Sequence, residues 1–387
     1  MKVLVIHNSY KVFGGEDVST LAEVALLKEN KVEVDTYYVS NKEIRGTNNV
    51  MVALNAIWSS RQYRKVLEKI KTGKYDIVHI QNFFPLLSPS ILYAVAHSNA
   101  KVVMSVRNYR LICPNAMMYV NGAICNRCVG KPVPFPALVH TCYRNSFAAS
   151  AAVVAMLSLH NFLNTWQNKI DAFICVSNFV RDQLIAGGLD ESKLLVKYNF
   201  VSSSVPVNLE VGQYYIYSGR LSDEKGIDVL LQAFRGSKRM LLIAGEGPLK
   251  EIVEKEATEN PHIRYVGKCS LLENYQFISK AKALIFPSKW HEPFGRTIVE
   301  AFAHGTPVIA SALGGVTELV TPGLNGLLFD PYQNGSLIAC LDAFDRLEES
   351  SAMRRCCYQT YLKLFAPETN FKDLMEIYQG LINKGPL

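Results

Sequence analysis

The chain has 387 residues, 49% of them hydrophobic and 19% charged, which is two to three single-domain lengths with apolar material for more than one core. That balance excludes a disordered, collagen-like or coiled-coil chain. The net charge of +7 is uneven: residues 1–200 carry 22 Lys+Arg against 13 Asp+Glu, and residues 201–387 carry 19 against 21.

The chain opens on Lys2–Ile6, an apolar run too short for a signal-peptide core that reads as a buried first strand. Further strand patterns follow at Val32–Val39, Asp76–Ile80, Lys101–Val106 and Ala172–Ser177. In the second half they fall at Tyr214–Ser218, Met240–Gly245, Ile263–Gly267, Ala283–Pro287 and Pro307–Ser311. Each is a continuous apolar run, as parallel strands covered on both faces require. Helical periodicities lie between them, at Val18–Glu29, Ser60–Ile70 and Gly226–Phe234 among others. The pattern predicts an α/β chain of two doubly wound, Rossmann-like domains, 1–200 and 201–369, with a helix over 370–387. Val201–Val207, small, polar and closed by Pro206, reads as an exposed linker between them. Two such sheets are expected to face a central cleft at their carboxyl edges, where ligands bind in open α/β sheets.

The most apolar stretch, Phe147–Leu159, is Ala-rich and has 13 residues, short of the roughly 18–20 that cross a bilayer. Nine unevenly spaced cysteines with no export signal suggest free thiols in a reducing cytoplasm. Residues 101–150 hold six basic residues and no acidic one, so this half is expected to face an anionic membrane surface or a phosphate-bearing substrate. Nothing points to a nucleic-acid partner.

His291-Glu292-Pro293-Phe294-Gly295-Arg296-Thr297-Ile298-Val299-Glu300-Ala301 follows a strand and ends at Gly305 and Pro307. A helix starting near Pro293 would aim the amides of Phe294, Gly295, Arg296 and Thr297 outward, a site for a diphosphate. Glu292 and Glu300 are eight residues apart, about 12 Å along a helix axis. That is too far to share one reacting atom but suits the two ends of a nucleotide-sugar, with the sugar at Glu292 and the ribose at Glu300; a capped helix with two solvated glutamates is the plain alternative. Gly219-Arg220-Leu221-Ser222-Asp223-Glu224-Lys225-Gly226 offers Arg220 and Lys225 to two phosphates, unless Asp223 and Glu224 pair with them. Gly245-Glu246-Gly247-Pro248 is a further strand–turn–helix junction whose glycines allow close approach of a ring or ribose.

Glu292 through Glu300 resembles the E-x7-E motif of retaining glycosyltransferase family 4. Gly219–Gly226, the Gly245–Pro248 turn, Gly305-Thr306-Pro307-Val308, Gly314–Glu318 and Asn325–Phe329 resemble that family's other signatures, in its order. The resemblance spans essentially the whole chain. It implies a GT-B fold, a nucleotide-diphosphate-sugar as co-substrate, no further cofactor, no catalytic metal, and transfer with retained anomeric configuration. It implies that Arg220 and Lys225 bind the donor diphosphate, Glu292 the donor sugar and Glu300 the ribose. The acceptor expected is a glycan, carried on a polyprenyl diphosphate in surface-polysaccharide assembly at the inner face of the plasma membrane. Two alternatives share the arrangement: a nucleotide-sugar 2-epimerase, and a silent donor-binding subunit.

In the first half, Val12–Asp17 resembles the family's glycine-rich loop, with Gly14 and Gly15 near the donor phosphates. It lacks G-x-G-x-x-G, which argues against a nicotinamide oxidoreductase. His79 resembles a family histidine near the acceptor, or is a core histidine bonded within the fold. Arg107 and Asn108 stand where many relatives show His-Asn or His-Asp beside the transferred sugar, so Arg107 is expected to contact that sugar or an acceptor phosphate, or the site to have an altered donor choice. Cys113, Cys125, Cys128 and Cys142 form either a zinc site or a set of reduced structural thiols.

Overall fold

The computed structural model describes residues 1–12, 14–44, 49–347 and 351–383. Phe13 of the glycine-rich loop and the last four residues of the 370–387 segment lie outside them. The strands, in chain order, are β1 (Lys2–Ser9), β2 (Glu33–Ser40), β3 (Ile77–Asn82), β4 (Lys101–Val106), β5 (Tyr119–Val120), β6 (Ala123–Ile124), β7 (Ala172–Cys175) and β8 (Leu194–Val196). They continue with β9 (Tyr215–Ser218), β10 (Leu241–Ala244), β11 (Ile263–Gly267), β12 (Ala283–Phe286), β13 (Val308–Ser311) and β14 (Gly326–Phe329). All ten strands read from the sequence are present, shifted by a residue or two or extended at their ends. The strands β8 and β14 and the β5–β6 hairpin, two to four residues long, are additional to those read from the sequence.

Two six-stranded parallel sheets result, ordered β2-β1-β3-β4-β7-β8 and β11-β10-β9-β12-β13-β14. Every residue of β3, β7, β10, β12 and β13 is buried, which accounts for their unbroken apolar runs. The edge strand β2 departs from that expectation, with Glu33 and Tyr38 exposed, Val34–Tyr37 half-buried and Val39 alone buried. The order reverses between β1 and β3 in the first sheet and between β9 and β12 in the second, and ligand sites of doubly wound sheets lie at the carboxyl ends of such strands.

The chain divides into two compact units. The first comprises Met1–Met118, Cys125–Tyr198 and the chain from Asn370. Its core joins Val3, Val5, Leu27, Ile77, Val103 and Ile174 to Leu374 and Tyr378 of the last helix, Pro367–Asn383. The second comprises Tyr119–Ile124 and Asn199–Thr369, around Tyr215, Leu230, Ile243, Ile285, Ile309 and Phe344. The β5–β6 hairpin therefore belongs with the second unit, unlike the rest of residues 1–198: Tyr119 Oη donates to Asp223 Oδ2 at 2.8 Å. The expected linker is also only partly exposed. Val201 is buried, its amide donating to Phe365 O and its carbonyl accepting from Tyr361 Oη.

Candidate functional site

In the second unit, the loops leaving β9 and β12 meet at the strand-order reversal. Gly226 ends the first of these turns at φ +69°, where an added Cβ would lie 1.8 Å from Pro287 O, so only glycine lets the two loops pack. This brings Lys225 Nζ to 2.5 Å from Glu292 Oε1. The same oxygen accepts from Ser288 Oγ at 2.7 Å and Trp290 Nε1 at 2.8 Å. Among the described residues, Oε2 has no hydrogen-bond partner. Glu292 is thus fixed through one oxygen while the other can accept from a ligand hydroxyl. Lys225 also lies 5.5 Å from the Trp290 ring centroid and 5.8 Å from that of Phe286.

Arg220 shares the turn with Lys225 but is exposed and makes no ion pair among the described residues. Asp223 and Glu224, the residues able to neutralise the two cations, are engaged elsewhere. Asp223 bonds Tyr119 and, at 2.7 Å, Lys289, while Glu224 accepts from Ser222. Gly245 and Gly247 back this turn: added Cβ atoms would lie 1.8 Å from Gly219 O and 2.2 Å from Leu221 O. Their smallness serves turn packing, whatever else approaches them.

The helix after β12 runs from Arg296 to Ala303 with Gly295 as N-cap, three residues later than the proline suggested. The turn Pro293–Gly295 is buried, and Phe294 packs edge-on against Phe365. Glu300 is buried and accepts from Arg296 Nε at 3.1 Å, while Arg296 also donates to Phe200 O. Burial pushes the Glu300 carboxyl above its ordinary range, against the pull of Arg296. Thr297 is half-buried on the same first turn.

In the first unit, a pocket at the carboxyl ends of β3 and β4 is lined by Tyr10, Glu16, Gln81, Phe84, Arg107, Asn108 and Arg110, among others. Glu16 Oε2 accepts from Tyr10 Oη at 2.8 Å and Asn108 Nδ2 at 3.2 Å. Burial raises the Glu16 carboxyl, opposed by the Tyr10 hydrogen bond and Arg107. The Arg110 guanidinium lies 4.5 Å from the Phe84 ring centroid and 5.0 Å from that of Tyr143. Gly14 caps the helix Gly15–Glu29, its amide donating to Asp17 Oδ2 at 2.9 Å, and nothing lies within 4 Å of a Cβ built on Gly15.

His79 is away from this surface. It is fully buried, with Nδ1 2.7 Å from Tyr378 Oη and Nε2 2.8 Å from Ser105 Oγ. Both ring nitrogens are engaged inside the fold, the arrangement of a core histidine. Burial pulls its pKa down to about 4 against the attraction of Glu23.

The profile "Glycosyl transferases group 1" matches residues 206–360 and "Glycosyltransferase Family 4" matches residues 30–205. This chain belongs to the family 4 glycosyltransferases. It is 25% identical over 348 residues to a 42.6 kDa protein in the cps region of Klebsiella pneumoniae, covering 82% of this chain and 86% of that protein. It is 29% identical over 224 residues to the phosphatidyl-myo-inositol mannosyltransferase of Mycobacterium leprae, 55% of this chain and 58% of that one. Anabaena HepE in complex with UDP superposes with a TM-score of 0.68 at 17% identity, over 98% of this chain and 100% of that chain. The glycosyltransferase therefore has the GT-B fold, two Rossmann-like parallel sheets.

Reasoning from the glycosyltransferase motifs alone missed Ser288, Trp290, Tyr10, Glu16 and Arg110. The first two sit directly after β12, and strand-end position was the available signal; the others meet only through folding. Cys113, Cys125, Cys128 and Cys142 are free thiols, and no three ligating side chains among the described residues are grouped to hold an ion. Burial, reinforced by the neighbouring thiols, pushes Cys128 up to about 12, so it stays protonated at neutral pH. Among the described residues no helix is long and apolar enough to cross a membrane.

Proposed function

We propose that this glycosyltransferase moves a sugar, with retention, from a nucleotide-diphosphate-sugar to a glycan acceptor carried on a polyprenyl diphosphate, in surface-polysaccharide assembly and without a metal. The observation that carries the donor reading is the Glu292 carboxylate, fixed through Oε1 by Lys225, Ser288 and Trp290 at the reversal of strand order. The UDP held by HepE supports a nucleotide donor, and the cps-region relative supports a polysaccharide product.

In this reading Glu292 Oε2 accepts from sugar hydroxyls, Lys225 and the exposed Arg220 meet the diphosphate, and Glu300 meets the ribose. Charge grows on the diphosphate as the glycosidic bond breaks. Cations and first-turn amides held in place beforehand stabilise that charge more in the transition state than in the ground state. Gly14 and Gly15 meet the donor phosphates, as the resemblance implies, and Arg107, Asn108, Glu16 and Tyr10 serve the acceptor side. Peripheral contact with anionic lipid at the cytoplasmic face is supported by exposed Val50, Met51, Leu54 and Trp58 beside exposed Arg61, Arg64 and Lys65. Co-sedimentation with phosphatidylglycerol vesicles tests it, and Met51→Glu/Leu54→Glu should release the protein.

The deciding experiment is a thermal-shift screen of UDP-, GDP-, ADP- and dTDP-sugars, then incubation with and without a lipid-linked acceptor. Nucleotide release that depends on acceptor, with the anomeric configuration kept by NMR, is the expected result. An altered sugar from donor alone indicates epimerisation. Binding with no product indicates a silent subunit, and no shift with any donor overturns the reading.

A further inference from the structure

Beneath the first-unit pocket lies a buried polar cluster that the donor chemistry does not use. Glu23, 2% exposed on the helix Gly15–Glu29, is its centre. Its Oε1 accepts from Gln81 Nε2 at 2.6 Å and lies 3.4 Å from His79 Nδ1. Its Oε2 lies 3.3 Å from Lys197 Nζ and 3.6 Å from an Arg107 terminal nitrogen. Gln81 completes the link, donating to Glu23 and accepting from Arg107 Nη1 through Oε1. Lys197 is itself buried and donates to Asn370 Oδ1 at 2.8 Å on the last helix. The four groups around Glu23 thus come from β3, from the residue after β4 and from the residue after β8.

Arg107 is the charged member of this cluster that lines the pocket, beside Gln81, with its side chain only 6% exposed. An unrestrained arginine loses rotamer freedom when it is fixed on a ligand. Here two anchors impose that restraint during folding, before any substrate arrives. Burial alone would neutralise the Glu23 carboxyl, yet Lys197, His79 and Arg107 hold it at about 2, so the anchor stays ionised.

We infer that Glu23 is a positioning residue: through a direct contact and through Gln81 it sets the Arg107 guanidinium at the pocket, and transfer depends on that placement. The inference rests on the acceptor-side reading of Arg107 proposed above. Glu23→Gln keeps the shape but leaves Arg107 and Lys197 facing a neutral amide, so Glu23→Gln/Lys197→Met, which removes one charge of each sign, is made alongside it.

Two measurements keep failure of the inference apart from failure of the proposed function. The first is the arginine Nε–H spectrum of 15N-labelled full-length protein, with Arg107→Lys identifying the resonance. A sharp Arg107 signal, slow to exchange in wild type and averaged in both Glu23 variants, is expected. An Arg107 signal unchanged by folded Glu23 variants overturns the inference, whether or not the protein transfers sugar. The second is acceptor-dependent nucleotide release, measured at a temperature where each variant's own melting curve shows it folded. A fall in kcat of tenfold or more, with UDP affinity within twofold of wild type and no further loss on adding Arg107→Lys, is expected. A lowered Tm with wild-type kcat would mean that Glu23 only supports the fold and would overturn the inference.

Discussion

Lys225 offers the sharpest test of the donor site. Its ammonium lies 2.5 Å from Glu292 Oε1, with the two side chains 24% and 8% exposed, so the pair is partly shielded from water. A charged hydrogen bond in such a setting contributes about 1.5–3 kcal/mol net. Losing one preorganised donor to a developing anion costs about 2.7–4 kcal/mol of transition-state stabilisation, a factor of 10²–10³ in kcat. Lys225→Met should therefore lower turnover at least a hundredfold and weaken binding of the nucleoside diphosphate that the donor screen selects, written below as UDP, about tenfold. Glu292 keeps Ser288 and Trp290 as partners, so the fold should survive. Glu292→Ala should lower turnover as much, yet leave UDP binding unchanged or tighter, because it frees Lys225 for phosphate. Calorimetric UDP titration and nucleotide release measure both quantities. A folded Lys225→Met protein with wild-type turnover would refute the assignment of this lysine to the leaving group.

Three further outcomes follow from the geometry. Arg220 is exposed and unpaired among the described residues, so Arg220→Ala should weaken UDP about tenfold, more at low salt than at high, with Tm unchanged; a salt-independent loss would count against a phosphate contact. Between about pH 6.5 and 4, His79 takes up a proton when unfolded but not when folded, so stability falls as pH drops through that window. Glu23, held at about 2 when folded against 4.5 ordinarily, adds a second loss as pH falls from about 4.5 toward 2. In urea titrations the advantage of wild type over His79→Gln should narrow from pH 7 to pH 4.5, and a constant gap would refute the linkage. Gly226→Ala, forced against Pro287 O at a positive φ, should lose about 2–4 kcal/mol or displace the Lys225 turn, read as a lower Tm and weaker UDP binding; a neutral substitution would mean that the turn relaxes freely.

The candidate residues of the second unit could be singled out before folding. Glu292, Lys225 and Arg220 lie in the loops that follow β12 and β9, and those strands announce themselves as apolar runs. Their motifs are contiguous, so their chemistry is written in adjacent letters. Helix Arg296–Ala303 was placed to within three residues; the error came from reading Pro293 as the first helical position, when the chain stays irregular until Gly295. The first-unit histidine was harder. Nothing adjacent to His79 says that Tyr378, 299 residues later, will occupy one ring nitrogen and Ser105 the other.

By itself, the amino-acid order determined two parallel α/β sheets, the glycine-lined turns and the residues at the strand ends, because burial on both faces leaves a local apolar signature. Tertiary structure alone decided that Lys225 closes on Glu292, that Tyr119 joins the second unit and that Glu23 anchors Arg107. Those pairings link residues 67, 104 and 84 positions apart, and a polar group far along the chain leaves no periodic trace of the partner it will meet.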